Sequence, residues 1–340
     1  MFSDQITYAT DSDPIAVAIF DVNNDNNPDM ILAHPNSHTV SVHFNSGNGT
    51  FLSPTTYSTG MYPCAVKLAD INSDNKPDIV VVNWIENSAT ILLNADNGTF
   101  LPQTVDFYLI DPISVALADV NSDEKIDIVV AGKYSRSVDV FLNADNDMFP
   151  FEASYLVGDS PISVALVDVN NDHTPDIIVA NQESHSVSVL LNVGDGTFRS
   201  ETSYSVDNGP VSVAVVDVNN DNKPDIVVAN QQSHNVGVLL NDRDGTFFPQ
   251  TTYQTGSMPS SVAVIDVNGD NNPDIIVANW KSTSVSVLLN AGDGMFLSQT
   301  TYSTGNDPFA VEVVDVNGDN KPDIVTANWF SSSVSVLLHC

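Results

Sequence analysis

The chain has 340 residues, 42% of them hydrophobic, and sets 43 Asp and Glu against 10 Lys and Arg for a formal charge of −33. That charge repels the phosphate backbone of nucleic acid and anionic headgroups, so neither is expected as a partner. Cys64 and Cys340 fall at different phases of the sequence and offer no disulfide framework or CxxC site, and no apolar run approaches the ~18 residues of a membrane span.

The opening segment, MFSDQITYAT, lacks the basic and apolar regions of a secretory signal. Its Phe2 shares a phase with Phe51, Phe100, Phe149, Phe198, Phe247 and Phe296, so the chain is expected to begin inside a repeat. The pattern Asp-x-Asn-x-Asp-x-x-x-Asp then recurs seven times, its first Asp at 21, 70, 119, 168, 217, 266 and 315, a constant step of 49. A period of this size marks a repeat architecture, and one domain over 1–340 is expected.

Within one unit, residues 259–302, apolar alternation predicts strand A at about 261–266, B at about 274–278, C at about 284–289 and D at about 296–302. Turn-rich DVNGDNNPD, NWKST and NAGDG separate them. Such a unit cannot bury both faces alone, and radial repetition of four short antiparallel strands describes a β-propeller blade. The predicted fold is all-β, a seven-bladed β-propeller closed by the N-terminal strand D pairing with the C-terminal strands A to C. Strand A supports this with a small phase at Ala16, Ala65, Ser114, Ser163, Ser212, Ser261 and Ala310, suited to convergence near an axis. The facing phase, Ile19, Leu68, Leu117, Leu166, Val215, Val264 and Val313, is bulky and expected to pack between blades. Lys67 and Glu312 interrupt an otherwise alanine phase and are read as solvated charges, with the channel as the alternative.

The A–B loops carry the chemistry. A hard cation such as Ca²⁺ prefers six to eight oxygen ligands, and loop positions 1, 3, 5, 7 and 9 supply them when the backbone curls round the ion. The candidate ligands are Asp21, Asn23, Asp25, Asn27 and Asp29; Asp70, Asn72, Asp74, Lys76 and Asp78; and Asp119, Asn121, Asp123, Lys125 and Asp127. The remaining four loops offer Asp168, Asn170, Asp172, Thr174 and Asp176; Asp217, Asn219, Asp221, Lys223 and Asp225; Asp266, Asn268, Asp270, Asn272 and Asp274; and Asp315, Asn317, Asp319, Lys321 and Asp323. Position 7 varies because only its carbonyl would be used, and position 9 is expected to act as a bidentate carboxylate. Up to seven Ca²⁺ ions are expected, which would offset less than half of the negative charge. Mg²⁺ dehydrates too reluctantly for an all-protein cage, and soft metals lack clustered His or Cys.

Units such as SVAVVDVNNDNKPDIVVAN (212–230) and VDVNGDNKPDIVTAN (314–328) resemble the FG-GAP or VCBS repeat family, the Ca²⁺-loop propellers that include integrin α heads and some secreted lectins. The FG and GAP signatures themselves are replaced by SVAV and VAN, which weakens transfer of integrin function. The resemblance implies that the Ca²⁺ loops brace one face while ligands are taken at the opposite face or between blades.

A meander puts A–B and C–D turns on one face and B–C and D–A loops on the other. The B–C loops hold Trp84, Trp280 and Trp329 at one phase, with Tyr134 one residue later in its own loop. They also hold His38, His185 and His234 at another. These aromatic and His groups could stack on sugar rings and bond their hydroxyls, or the Trp rings simply cap the inter-blade space. Blades 6, 7 and 2 offer the best patch. Asn48-Gly49-Thr50 and Asn97-Gly98-Thr99 read as glycosylation acceptors and equally as turns. No HExxH, GxSxG, phosphate loop or Cys–His pair occurs, so no catalysis is expected. The expected function is a Ca²⁺-stabilised, monomeric module, extracellular or on the cell surface, recognising a glycan or an extracellular protein. The alternatives are the propeller domain of a polysaccharide-active enzyme and a purely structural scaffold.

Overall fold

The computed structural model describes residues 2–3, 5–10, 12–105, 110–144 and 149–340. Its regular structure is β throughout: seven four-stranded antiparallel sheets plus one short hairpin, Asn241–Arg243 with Thr246–Phe247. Strand A opens blades 1 to 7 at Ala16, Pro63, Pro112, Pro161, Pro210, Pro259 and Pro308. Blade 6 shows the pattern: A is Pro259–Ile265, B is Asp274–Asn279, C is Ser284–Leu288 and D is Thr300–Ser303.

Strand B, central in its sheet and covered on both faces, is buried at every position in all seven blades, which is why it reads as a continuous apolar run. Seven buried clusters lie between neighbouring blades, and the bulky strand A residues, Ile19 through Val313, pack against them. One cluster joins Met30 and Leu32 of blade 1 to Val325 and Ala327 of blade 7, so the ring is closed by apolar contact. Hydrogen bonding closes it too, in a blade built from both ends of the sequence: Ile6–Ala9 pairs antiparallel with Ser333–Leu337, and Phe2 bridges His339.

Strand D is shorter than the expected 296–302. Phe296 bridges Asn290 alone, the register then slips by one residue, and the ladder resumes at Thr300 opposite Val287. The Phe ring meets a Tyr of the preceding blade, as in Tyr253–Phe296, with centroids 5.4 Å apart and planes at 75°, and blade 2 makes the same contact on a strand D, Phe100–Val105, that has no slip. Edge-to-face pairs of this kind join Tyr8–Phe51, Tyr57–Phe100, Tyr155–Phe198, Tyr204–Phe247 and, across the closure, Tyr302–Phe2. Each is worth about 0.5–1.5 kcal/mol beyond its buried area.

Strand A starts two residues earlier than expected, because a register shift sits at its second residue in blades 2 to 7. Bulges re-aim side chains. Here they direct Cys64, Ile113, Ile162, Val211, Ser260 and Phe309 to one mouth of the central channel. Further in, Ser114, Ser163, Ser212 and Ser261 of the small phase accept the N–H of the next blade's strand A at 3.1–3.3 Å. Lys67 and Glu312 line a channel cavity of about 550 Å³ towards the other end, so the channel alternative holds for both.

Candidate functional site

Each A–B loop folds around its first Asp. In loop 1, Asp21 Oδ1 accepts the N–H of Asn23 at 3.3 Å and of Asp25 at 3.2 Å, and Oδ2 accepts that of Asn26 at 2.7 Å. Asn23 Oδ1 accepts from Asp25 at 2.9 Å, and Asp25 Oδ1 from Asn27 at 2.8 Å. Positions 4 and 6 take positive φ in every copy, from Asn24 (64°) and Asn26 (65°) to Gly318 (76°) and Asn320 (59°). Gly, Asn and Ser dominate these positions because they tolerate that conformation best. At Asp266, burial works to raise the carboxyl pKa, but N–H groups from Asn271, Gly269, Asn268 and Asp270 outweigh it and hold the group below the usual range.

Position 9 has a task beyond the bidentate one expected of it. Asp29, Asp78, Asp127, Asp176, Asp225, Asp274 and Asp323 are all fully buried. In each, one oxygen accepts the N–H of loop position 2 and the other an N–H of the C–D turn, as Asp225 does from Val218 at 3.0 Å and Asn241 at 2.7 Å. The carboxylate thus brackets two turns of one blade. Burial pushes Asp225 up to about 6; the Asn241 and Val218 donors work against this, and Asp221 and Asp217 add to it.

The C–D turn Asn ties neighbouring blades together. Asn45, Asn94, Asn143, Asn192, Asn241 and Asn290 donate Nδ2–H to the position 2 carbonyl of the preceding blade at 2.7–2.9 Å. The seventh copy is His339, whose Nδ1 is buried with no partner. The recurrence of Asn at this phase was the available signal for these straps.

The donor set of each loop fits a hard divalent cation: three carboxylates and an amide oxygen stand on a backbone already wrapped around position 1. Among the described residues, no three His, Cys, Asp or Glu side chains stand close enough together to hold a metal. Lys76 and Lys223 at position 7 reach their own position 5 carboxylates, Asp74 at 3.5 Å and Asp221 at 3.2 Å.

On the opposite face the strand A bulges floor an axial depression of about 290 Å³. Trp280 and Phe309 wall it on blades 6 and 7; Lys133, Gln182 and Gln231 wall it on blades 3, 4 and 5. Phe309 stands between two expected Trp residues, 6.4 Å from Trp280 and 5.8 Å from Trp329. Trp84 lies apart from them against Tyr62 at 5.4 Å, and neither it nor Trp329 lines the depression. Tyr134 is 63% exposed and borders an outer groove between blades 3 and 4 with Arg136 and Asp159. The three His do not form a ligand ring through Nδ1. His38, His185 and His234 accept the N–H of Tyr62, Gly209 and Met258 at 3.0–3.1 Å, clipping each B–C loop to the following D–A loop. Residues of all seven blades line this depression, and of the aromatic groups expected as a patch on blades 6, 7 and 2 it includes Trp280 but not Trp84 or Trp329.

Comparisons with known proteins agree with this architecture. The FG-GAP-like repeat matches residues 21–81, 70–130, 119–179, 168–228, 217–277 and 266–326. A search of curated proteins by sequence gives no match. Among solved structures, BBS1N in complex with ARL6DN, soaked with lead, is similar with a TM-score of 0.70 at 14% identity, over 99% of this chain and 96% of that one. Virginiamycin B lyase from Staphylococcus aureus has a TM-score of 0.69 at 11% identity, with 100% of both chains covered. An Agrocybe aegerita lectin that recognises non-reducing terminal N-acetylglucosamine has a TM-score of 0.62 at 20% identity, over 94% of this chain and 86% of that one. At such identities the likeness shows the propeller fold alone. The repeat matches overlap along nearly the whole ring, and the chain belongs to the FG-GAP-like repeat family.

Proposed function

We propose that this propeller is a Ca²⁺-stabilised extracellular interaction module that takes a glycan in the axial depression, with the acidic loops acting as braces on the far face. The observation that carries the reading is the depression itself. An aromatic wall, Trp280 and Phe309, stands opposite amide side chains, Gln182 and Gln231, and sugars present both an apolar ring face and hydroxyls. The reading assigns no catalytic step; the lyase and lectin neighbours share the fold and do not decide between them.

Ca²⁺ enters as folding energy. Three carboxylates in one loop repel one another, and an ion held at ~100 times its dissociation constant contributes about 2.7 kcal/mol per independent site. Loops with the affinity of extracellular modules fill at millimolar Ca²⁺, and the extracellular assignment rests on these loops having that affinity.

The test is a glycan array probed with the purified chain in Ca²⁺ and in chelator, with thermal melting of both samples. The expected result is a higher melting temperature in Ca²⁺ and saturable sugar binding that Trp280→Ala abolishes. A folded, Ca²⁺-loaded chain with a blank array overturns the glycan reading and leaves a protein partner or a scaffold role. Equal melting in Ca²⁺ and chelator overturns the ion.

A further inference from the structure

We infer that the axial depression selects a sugar bearing a carboxylate, paired by Lys133; this rests on the glycan reading above. Among the described residues lining the depression, Lys133 alone is charged. The chain holds four acids for every basic residue, so its cations are readily paired, and on this face they are. Arg136 pairs with Asp159, and Lys281 reaches Asp307 at 3.5 Å. Among the described residues Lys133 has no ion-pair partner; it lines both the depression and the outer groove, and its Nζ makes cation–π contacts with the Trp84 and Tyr134 rings, 5.9 and 5.6 Å from their centroids, which an incoming carboxylate would join.

The geometry matches one acidic sugar unit. Blade 3, which carries Lys133, lies across the seven-bladed ring from blades 6 and 7, which carry Trp280 and Phe309. The two rings stand at 75° to each other, with the Lys281 ammonium 4.1 Å from the Trp280 centroid, so a pyranose packs its apolar face on one ring only and turns its opposite edge towards Lys133, with Gln182 and Gln231 of the intervening blades beside its hydroxyls. The depression's 290 Å³ is at the small end of ligand cavities, suited to one sugar residue rather than a polymer segment. The acidic loops do not forbid an anion here. Strand A spans seven residues, about 20 Å, between the two faces, against a screening length of about 8 Å at physiological ionic strength.

The test measures affinity of the full chain in Ca²⁺ for matched pairs: a uronic acid oligosaccharide and its carboxyl-reduced form, and a sialylated glycan and its asialo form. The acid member of at least one pair is expected to bind roughly tenfold more tightly, the worth of one hydrogen bond to a charged group. Which pair shows the difference identifies the source of the carboxylate. Lys133→Gln should erase the difference within the pair, whereas Arg199→Gln, an equal change of net charge outside the depression, should preserve it. Equal affinity for both members of both pairs, or a preference that survives Lys133→Gln, overturns the inference while sugar binding stands. No binding to any member by a chain that melts cooperatively in Ca²⁺ fails the glycan reading itself.

Discussion

At the scale of single residues, each A–B loop separates two kinds of aspartate that look alike in sequence. Asp225 is fully buried and satisfies two backbone N–H groups, whereas Asp221 is solvent-facing and accepts from Lys223. Asp225→Asn turns one acceptor into an amide that faces an N–H, and should cost about 2 kcal/mol even in chelator. Asp221→Asn should stay within about 0.5 kcal/mol of the parent in chelator and weaken the fold only in Ca²⁺. Denaturant titration of both variants with and without Ca²⁺ checks this; equal losses in chelator would mean that the bracket has no special weight. His339 offers the converse. It stands where six blades place a strapping Asn, its backbone N–H still reaches Asp323 at 2.7 Å, and its buried Nδ1 is unmatched. His339→Asn restores a donor towards the Val267 carbonyl and should stabilise by about 1 kcal/mol. The ring contact with Phe2, centroids 5.2 Å apart, is lost in exchange, and a fall in the denaturation midpoint would show that this contact is worth more than the strap.

At the scale of elements, the blade is held to its neighbours by contacts that no single repeat contains. Tyr204 on strand D of blade 4 meets Phe247 of blade 5 edge to face, centroids 5.4 Å apart. A double-mutant cycle with Tyr204→Leu and Phe247→Leu should give a coupling energy of about 0.5–1.5 kcal/mol; additive losses would reduce the pair to simple apolar burial. Such contacts also explain how far sequence reading reached. Periodicity exposed the four strands, the closure through Phe2 and the loop positions, because each is a local pattern repeated at a fixed step. It overextended strand D of blade 6 because alternation does not reveal the one-residue slip before Thr300, which strand D of blade 2 lacks. It could not show the loop-clipping bonds of the three His, because these run to Tyr62, Gly209 and Met258 in the following D–A loops. It did not show that Phe309 and Lys133 line one depression, because the bulge before Ala310 and the ring geometry that sets the two opposite each other belong to tertiary structure.

At the scale of the whole molecule, the channel encloses two side chains of opposite charge, Lys67 and Glu312. Five of the seven blades place Ala at one strand A position, while blade 7 places Glu312 and blade 2 places Lys67 in the same cavity. Enclosure raises the Glu312 pKa above its ordinary 4.5, and the Lys67 charge only partly offsets this. An acid whose pKa is higher in the folded than in the unfolded chain favours folding in its protonated form. Its contribution is complete below the unfolded value near 4.5 and is lost as pH rises through the folded value. Glu312→Gln keeps the shape without the charge, so variant and parent should melt together near pH 4, and the variant should melt higher at pH 7. The loop carboxylates titrate in both proteins and cancel in the difference, which isolates the channel. Lys67→Met should move the parent the other way at pH 7, since it removes the charge that tempers Glu312. A melting difference that does not change with pH would place the effect of Glu312 in packing, and the channel would then count as inert filling between the blades.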